Sequence, residues 1–301
     1  MKMKKILIIG LGNMGLSHLK SFLKKKYIIH IVEKNININI KNLRNNKQLN
    51  KKIFIFKKIP NNNKYLLTIS ATQSRERLKL LKNFFKSNKT KYLLLEKFCF
   101  PTMRQFNDFN NNFTSKTKTF VNSWGYIVAK KIKNKKKLQN FRLVCKVKEG
   151  ILSGCITHLF HIYDFLNNNS NIIKVDKKKL YLIKNERKIS YDELAGTIEV
   201  KDLKQNKMKI ETIKNLKNLI TINIYQKNKK IHYKIIFKKN KTIKFYAQDG
   251  KTKEIQFPFS KITTSIFLKN CLNRNYKFIP SFQNDFKISK SILENFKVRI
   301  L

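Results

Sequence analysis

Short, mostly apolar runs recur along the first third of the chain, separated by polar or helical segments. They lie at residues 6–9, 27–32, 53–56, 65–70 and 92–95, and β-branched residues and leucine dominate them. Runs of this length without strict polar alternation are typical of parallel strands that are buried on both faces. The pattern therefore predicts a parallel α/β sheet over residues 1–120.

One helix of this region is predicted from its apolar face. After Arg75, apolar residues recur at helical spacing; they are Leu78, Leu80, Leu81, Phe84 and Phe85. Ser74 is the expected N-cap, because a serine oxygen accepts hydrogen bonds from free N–H groups at a helix start. Arg77 is assigned to the exposed surface of this helix. The alternation of Asn and Ile at residues 35–40 fits a strand and a loop equally well.

The second half of the chain alternates polar and apolar residues. Segments with this two-residue period lie at residues 179–183, 196–201, 207–213, 219–225, 231–237 and 242–247. This period is typical of antiparallel strands with one covered face. We therefore predict two domains. Residues 1–120 form a Rossmann-type parallel sheet, and residues 121–301 form an α+β domain with a large, mostly antiparallel open sheet, whose C-terminal helices return to the first domain.

A glycine-rich turn follows the first apolar run and precedes a helical pattern. Gly10, Gly12 and Gly15 have the G-x-G-x-x-G spacing. The first glycine permits the turn, the second lets the backbone approach a pyrophosphate, and the third allows the helix to pack closely on the strand. The turn therefore predicts a dinucleotide site over residues 10–15, whose other members are Leu11, Asn13 and Met14.

Further cofactor-binding residues are expected where the other apolar runs end. The second run ends in Glu33, about eighteen residues beyond Gly15, where an acid holds the adenosine ribose and repels a 2′-phosphate. This acid favours NAD, and the neighbouring Lys34 leaves NADP as the alternative. Because parallel strands end at one edge of their sheet, we expect cofactor contacts also from the residues after the later runs; these are Ala71, Thr72, Glu96 and Lys97.

Lysine dominates the charge of the chain. The 67 Lys and Arg residues against 17 Asp and Glu residues give a formal net charge of +50, which by itself suggests a polyanion partner. The excess is spread over the whole chain together with Asn, Ile and Phe, residues that have A/T-rich codons. No nucleic-acid-binding motif accompanies it. We expect a solvated lysine surface and no specific nucleic-acid partner, with polyanion binding as an alternative function.

The spacing of the cysteines and the length of the apolar segments favour a cytoplasmic protein. Cys99, Cys145, Cys155 and Cys271 are widely separated and form no C-x-x-C pair, which favours reduced, buried thiols in a cytoplasmic protein and predicts no metal site. The first apolar run is broken by Gly10 and no small-residue cleavage site follows, unlike in a signal peptide. No uncharged apolar window is long enough to span a membrane.

Four motifs occur in an order known from one superfamily. The glycine turn, Ser70-Ala71-Thr72 and Glu96-Lys97 are followed by residues 154–166, in which Thr157, His161 and Asp164 share one helix face. Together they resemble the glucose-fructose oxidoreductase and inositol dehydrogenase (Gfo/Idh/MocA) superfamily. The chain departs from the superfamily pattern at three positions, with Gln73 and Phe98 in place of prolines and Thr157 in place of an acid.

The resemblance implies a catalytic role for three residues. Lys97 would polarise the substrate oxygen and exchange its proton, His161 would act as the acid/base partner, and Asp164 would orient the site or bind substrate. Further substrate contacts are expected from Asn122, Thr157 and His158. Trp124 and Tyr126 are interpreted as packing aromatics.

The predicted function is that of an NAD(P)-dependent oxidoreductase. It would transfer a hydride between nicotinamide and a hydroxyl or carbonyl carbon of a sugar, nucleotide sugar or cyclitol, anionic ones included, in surface-polysaccharide or aminosugar biosynthesis. The departures Phe98 and Thr157 support an alternative, a non-catalytic dinucleotide-binding regulator. Since an open sheet face is a liability in water, we also expect a homodimer or a dimer of dimers, as in the superfamily.

Overall fold

A computed structural model describes most of the chain, in two compact units. The described residues are 3–35, 52–132, 138, 140–167, 172–184, 193–226, 230–257, 260–277 and 279–296. The first unit comprises Met1–Trp124 and Pro258–Gln283, and the second comprises Gly125–Phe257 and Asn284–Ile300. The predicted strand or loop at residues 35–40 lies outside the described residues apart from Asn35.

The first unit contains a six-stranded sheet in the order β3-β2-β1-β4-β5-β6. All its strand pairs are parallel. The strands are β1 (Lys4–Ile9), β2 (Tyr27–Val32), β3 (Ile53–Phe56), β4 (Lys64–Ser70), β5 (Lys89–Leu95) and β6 (Lys118–Val121). Its helices are α1 (Asn13–Leu19), α2 (Ser74–Ser87), α3 (Met103–Phe113) and α6 (Ser260–Leu272). The predicted Rossmann-type parallel sheet is therefore confirmed.

Strand β1, in the middle of this sheet, is buried on both faces. Ile6 and Ile8 of β1 belong to one hydrophobic cluster, and Leu7 and Ile9 belong to another. Successive side chains of a strand point to opposite faces, so each cluster covers a different side of the sheet. This arrangement explains why the strands read as uninterrupted apolar runs.

The starts of two helices depart from the sequence analysis. Helix α2 includes Ser74 as its first residue, its N-cap is Gln73, and no side chain caps it. The prediction of Ser74 as the N-cap is wrong, because the helix begins one residue earlier than expected. Helix α3 was not predicted, although the Thr102 side chain caps it by accepting a hydrogen bond from Gln105 N.

The second unit contains an eight-stranded sheet in the order β14-β13-β12-β11-β7-β10-β9-β8. Strands β7 and β10 are parallel, and the other pairs are antiparallel. The strands are β7 (Arg142–Lys148), β8 (Ile172–Ile183), β9 (Glu193–Asp202), β10 (Lys207–Ile213), β11 (Ile220–Gln226), β12 (Lys230–Phe237), β13 (Thr242–Ala247) and β14 (Thr252–Gln256). The predicted large, mostly antiparallel sheet is confirmed.

One face of this sheet is covered by helix α5 (Leu152–Leu166), which packs against β7 and β9. On β7, the alternate residues Leu143, Cys145 and Val147 are fully buried. Helix α4 (Trp124–Ala129) precedes β7, and helix α7 (Phe282–Phe296) closes the described chain. None of the helices in the described ranges has the length and apolar character needed to cross a bilayer.

All four cysteines are free and buried, as predicted. Burial raises the pKa of the Cys145 thiol and raises that of Cys271 to about 12. A thiol with a raised pKa is protonated at neutral pH and reacts slowly. Cys145 and Cys271 therefore serve as packing residues.

Candidate functional site

Backbone hydrogen bonds bring several predicted site residues to one edge of the parallel sheet. Gly10 N donates to Val32 O at 2.8 Å and Ala71 N donates to Ile9 O at 2.8 Å. The same pattern continues across the sheet, where Glu96 N donates to Ser70 O at 3.1 Å and Asn122 N donates to Leu95 O at 2.8 Å. The residues that follow β1, β4, β5 and β6 therefore line the carboxyl edge, the usual ligand-binding edge of an open parallel sheet.

The glycine turn has the geometry that its spacing predicts. Gly10 has a φ of +92°, which favours glycine, and a Cβ on Gly15 would lie 2.0 Å from the Gly10 carbonyl oxygen. A Cβ on Gly12 would meet nothing within 4 Å. Gly12, Asn13 and Met14 are exposed at the start of α1, whereas Leu11 is buried. Gly15 thus permits the close contact between helix and strand, and the backbone at Gly12 faces open space.

Glu33 lies beside this turn. Its Oε2 accepts a hydrogen bond of 2.7 Å from Leu11 N, and its Oε1 accepts one of 3.3 Å from Asn35 N. An ionised carboxylate has about four acceptor positions, so two remain for other donors. The structure therefore fixes the carboxylate of Glu33 next to the backbone of residues 10–12. It leaves this carboxylate able to accept further hydrogen bonds from hydroxyl groups.

The carboxylate of Glu96 is buried inside the first unit. Its Oε1 lies 2.7 Å from His18 Nε2 and accepts a hydrogen bond of 2.6 Å from Asn122 Nδ2. Burial alone would raise the pKa of Glu96, but the hydrogen bond and charge of His18, the hydrogen bond from Asn122 and the charge of Lys97 hold that pKa below its ordinary value. Glu96 is therefore ionised at neutral pH, with His18 Nε2 as the donor.

The network around Glu96 continues into helix α6. His18 Nδ1 lies 2.6 Å from Thr264 Oγ1. The amide of Asn122 also donates to Ser260 Oγ at 3.1 Å and accepts from Thr263 Oγ1 at 2.7 Å. The side chains of Glu96 and Asn122 are thus engaged in joining β5, β6, α1 and α6. Their predicted contacts with cofactor and substrate stay predictions.

Arg77 is buried, so its assignment to the helix surface is wrong. Its Nη1 donates to the carbonyl oxygens of Glu96 at 2.6 Å and Cys99 at 2.7 Å, and also to that of Phe98. Its Nη2 donates to the carbonyl oxygen of Thr72. One guanidinium therefore joins the loops that follow β4 and β5. A buried charge of this kind persists only where several acceptors satisfy it.

Lys97 lies in the loop that Arg77 holds. It is partly exposed, whereas its neighbour Glu96 is buried. The peptide bond between Lys97 and Phe98 is cis, although Phe98 stands where the superfamily has proline. Arg77 bonds the carbonyl oxygens on both sides of Lys97, those of Glu96 and Phe98. The backbone that carries the predicted catalytic ammonium is therefore fixed from within the unit.

His161 belongs to the second unit and is fully buried there. Its Nε2 lies 3.2 Å from Asp285 Oδ1, and Ser289 Oγ donates to the other carboxylate oxygen at 3.1 Å. The ring also meets Tyr126 edge to face, with centroids 5.7 Å apart. Asp285 was missed by the sequence analysis, because it lies 124 positions from His161 and no local pattern marks it.

Asp164 follows His161 by one turn of α5 and is linked to Tyr126. Tyr126 donates to Asp164 Oδ2 at 2.8 Å and accepts from Asn284 Nδ2 at 3.0 Å. Burial raises the pKa of Asp164, and the Tyr126 hydrogen bond with the charges of His161 and Lys287 opposes that rise only in part. Tyr126 is thus both a buried packing aromatic, as predicted, and the hydrogen-bond partner of Asp164.

Thr157 and His158 occupy the first half of α5. Both are buried, and among the described residues Thr157 Oγ1 has no hydrogen-bond partner. A Cβ on Gly125 would lie 2.2 Å from the His158 carbonyl oxygen, so α4 and α5 are in close contact at this point. Thr157, His161 and Asp164 share one face of α5, as predicted, while Lys97 and Asn122 belong to the first unit.

No group of three or more His, Cys, Asp or Glu side chains suited to a metal ion occurs among the described residues. No protein-family model matches the sequence. No curated protein matches it either.

Solved structures match almost the whole chain at low identity. GenD2 from gentamicin A biosynthesis, in complex with NAD, has a TM-score of 0.70 at 6% identity and covers 99% of this chain and 94% of its own. The WlbA dehydrogenase from Bordetella pertussis, in complex with NADH and UDP-GlcNAcA, has a TM-score of 0.65 at 10% identity and covers 98% and 97%. The super-repressor mutant of the transcriptional regulator Gal80p from Saccharomyces cerevisiae has a TM-score of 0.67 at 12% identity and covers 98% and 95%.

These likenesses establish the fold of the chain. The neighbours include proteins crystallised with NAD or NADH, and the fold that the resemblance implied is confirmed. The same fold is found in a dehydrogenase and in a transcriptional regulator. The fold alone therefore does not determine the activity, which depends on the residues of the site.

Proposed function

We propose that this protein is an NAD-dependent oxidoreductase that acts on a CH–OH carbon of a sugar-type substrate. The proposal rests on one observation, the glycine turn at the carboxyl edge of the sheet. There the backbone at Gly12 faces open space, Gly15 allows the close helix contact, and Glu33 accepts a hydrogen bond from Leu11 N. This combination of an open glycine backbone and a fixed acid suits a dinucleotide pyrophosphate and ribose.

The residues at this edge fit the cofactor. The exposed backbone of residues 12–14 would face the pyrophosphate, the free acceptor positions of Glu33 would face the ribose, and Ala71 and Thr72 would line the nicotinamide side. The carboxylate of Glu33 repels a 2′-phosphate, which supports NAD over NADP. When bound, the nicotinamide supplies or accepts the hydride.

The chain's own groups would handle the substrate proton. Oxidation of a CH–OH group to C=O gives a hydride to the cofactor and leaves the hydroxyl proton for the protein. Lys97, whose flanking carbonyl oxygens on Glu96 and Phe98 accept hydrogen bonds from Arg77, would take that proton as a neutral amine and become an ammonium. In the reverse direction the ammonium would polarise the carbonyl oxygen and return the proton. His161 would pass protons with Asp285 as its carboxylate partner, and Asp164 would orient the site through Tyr126.

The substrate class and the assembly are further parts of the proposal. WlbA was crystallised with UDP-GlcNAcA and GenD2 comes from gentamicin A biosynthesis, which supports a sugar or nucleotide sugar made for a surface polysaccharide or an aminosugar. The formal charge of +50 would attract an anionic substrate. We propose a homodimer through the open face of the second sheet, and a cytoplasmic location, which the four free cysteines support.

Titration with NADH and NADPH tests the proposal directly. We expect NADH to bind with micromolar affinity, NADPH to bind at least about tenfold more weakly, and Glu33→Ala to reduce that difference. A screen of sugar nucleotides should then give turnover that Lys97→Met lowers by about a hundredfold or more while NADH still binds. A wild-type protein that binds neither cofactor would exclude the function.

A second candidate is a dinucleotide-binding regulator without catalytic activity. His161 is fully buried with Asp285 as its partner, and the superfamily acid is replaced by Thr157. A Gal80p structure is also among the neighbours. This candidate predicts NADH binding that survives Lys97→Met, together with no turnover of any sugar nucleotide by the wild-type protein.

A further inference from the structure

A row of lysines marks the amino edge of the parallel sheet. The neighbouring strands β1, β4, β5 and β6 begin with Lys4, Lys64, Lys89 and Lys118. Neighbouring strands lie about 4.8 Å apart, and Lys64 and Lys89 are paired directly in register. Like charges placed side by side on adjacent strands destabilise a sheet. This edge is therefore a place where a bound anion would relieve repulsion.

A cleft opens at this edge. It has a volume of about 640 Å³, within the range of small-molecule sites, and its lining includes the four lysines Lys4, Lys5, Lys64 and Lys91. Among the described residues, no carboxylate lines it. Within the described part of the chain, none of these four lysines forms an ion pair. Lys5 Nζ donates to Asn63 Oδ1 at 2.8 Å, so one ammonium is already oriented.

The cleft also has an apolar part. Met3 and Leu272 line it and are 44% and 42% exposed, which places them among the large apolar residues that the structure leaves uncovered. Exposed apolar side chains gathered in one concavity commonly mark a binding surface. The cleft thus combines several positive charges with an uncovered apolar wall.

The lysine-rich composition alone does not account for this combination. A second cleft, on the sheet of the other unit, is lined by four basic residues, but Asp176 and Glu199 lie among them. Its charge is therefore partly neutralised by the protein itself. In the cleft at the amino edge, no described side chain neutralises the lysines, so a ligand or solvent ions would have to do so.

We propose that this cleft binds a free organic anion with an apolar body. Its carboxylate, sulfate or phosphate head would lie among the ammonium groups, and its chain would cover Met3 and Leu272. The site is separate from the glycine turn, because the two lie at opposite ends of β1. A strand of six residues is about 20 Å long. The proposal is independent of the oxidoreductase function.

Calorimetric titration with octanoate, acetate and octanol tests the proposal. Octanoate carries both features, whereas acetate has only the head group and octanol only the chain. We expect one saturable octanoate site per chain, with the other two compounds about tenfold weaker or undetectable. The substitutions Lys64→Gln and Leu272→Asn should each weaken octanoate binding by about threefold or more.

Lys79→Gln is the matched control, since Lys79 is exposed on α2 in the same unit and away from the cleft. It should leave octanoate affinity unchanged, and the thermal unfolding of each variant shows whether the fold is kept. The proposal is overturned if octanoate does not bind, if acetate binds equally well, or if Lys79→Gln weakens binding as much as Lys64→Gln. Binding to anionic lipid vesicles without binding of free octanoate would also overturn it.

Discussion

The guanidinium of Arg77 donates a hydrogen bond of 2.6 Å to the main-chain carbonyl of Glu96, the residue before Lys97. It also bonds the carbonyl oxygens of Phe98 and Cys99 and, across to the preceding loop, that of Thr72. The position of the predicted catalytic lysine therefore depends on a buried guanidinium of helix α2 that donates to four backbone oxygens.

Replacing Arg77 with glutamine should affect both stability and activity. The change removes charged hydrogen bonds and leaves buried carbonyl oxygens without a donor, so we expect the free energy of unfolding to fall by about 3 kcal/mol. If Lys97 is catalytic, turnover should fall at least about tenfold, because small displacements of a catalytic group are costly. Urea unfolding and steady-state kinetics measure the two effects.

Arg75→Gln is the control for this experiment, because Arg75 is exposed on the same helix. Arg75→Gln should change neither the free energy of unfolding nor the turnover. An Arg77→Gln protein with the stability of the wild type would show that the carbonyl oxygens of the loop are satisfied without the guanidinium.

Two glycines of the turn should respond differently to alanine. A Cβ on Gly15 would lie 2.0 Å from Gly10 O. Gly15→Ala should therefore destabilise the protein by several kcal/mol, which is comparable to the cost of overpacking a core. A Cβ on Gly12 meets nothing, and its φ of −69° suits alanine, so Gly12→Ala should keep its stability. If a pyrophosphate binds there, that variant should nevertheless lose NADH affinity by about tenfold or more.

Thermal unfolding and NADH fluorescence titration separate the two effects. A Gly12→Ala variant that binds NADH as the wild type does would show that the dinucleotide does not approach the backbone at this glycine. In that case the site would have to be sought elsewhere on the sheet.

Strands β1, β2, β4 and β5 were predictable because their apolar residues are largely buried and each forms an apolar run. Strand β3 was predicted from its Ile and Phe residues although it is only half-buried, and β6 was not among the predicted apolar runs. Strand β7 was missed, although Leu143, Cys145 and Val147 have the two-residue spacing of the strands that were found. The burial of Arg77 also had a signal in the sequence. It precedes Leu81 by four positions and Phe84 by seven, a spacing that places it on the apolar face of α2.

Other contacts of the candidate site have no corresponding signal in the sequence. The bonds of Glu96 join it to His18 and Asn122, and His161 meets Asp285 from a helix near the end of the chain. Each pair is brought together only by tertiary folding, so periodicity and local motifs carry no information about it. The sequence could indicate these residues as candidates but could not show that their partners lie within the protein.

Glu96 should stabilise the first unit above acidic pH. Its folded pKa is lowered, so its contribution is present above the unfolded value of about 4.3 and is lost as pH falls through the folded pKa. Glu96→Gln should therefore cost about 2 kcal/mol at pH 7, and the difference from wild type should shrink in acid. Urea unfolding between pH 3 and 7 measures it, with the exposed Glu76→Gln as the control. A difference that does not change with pH would show that the charge of Glu96 is unimportant.

Asp164 should show the opposite dependence on pH. Its folded pKa is raised, chiefly by burial, so the ionised form is disfavoured in the folded protein. The wild type is therefore most stable, relative to an uncharged variant, below the unfolded value of about 3.9, and it loses that advantage as pH rises through the folded pKa. An asparagine oxygen still accepts the hydrogen bond from Tyr126, so Asp164→Asn keeps this contact and removes the charge.

We expect Asp164→Asn to match or exceed the stability of the wild type at pH 7 and to lose that relative gain as pH falls towards 4. Urea unfolding across this range measures the difference. Asp249→Asn is the control in the same unit, because Asp249 is exposed and hydrogen bonds from Lys251 lower its pKa, which gives a pH dependence of the other sign. If Asp164→Asn were less stable than the wild type by an amount that grows with pH, the Asp164 carboxylate would be favoured in its ionised form, and burial would not control its titration.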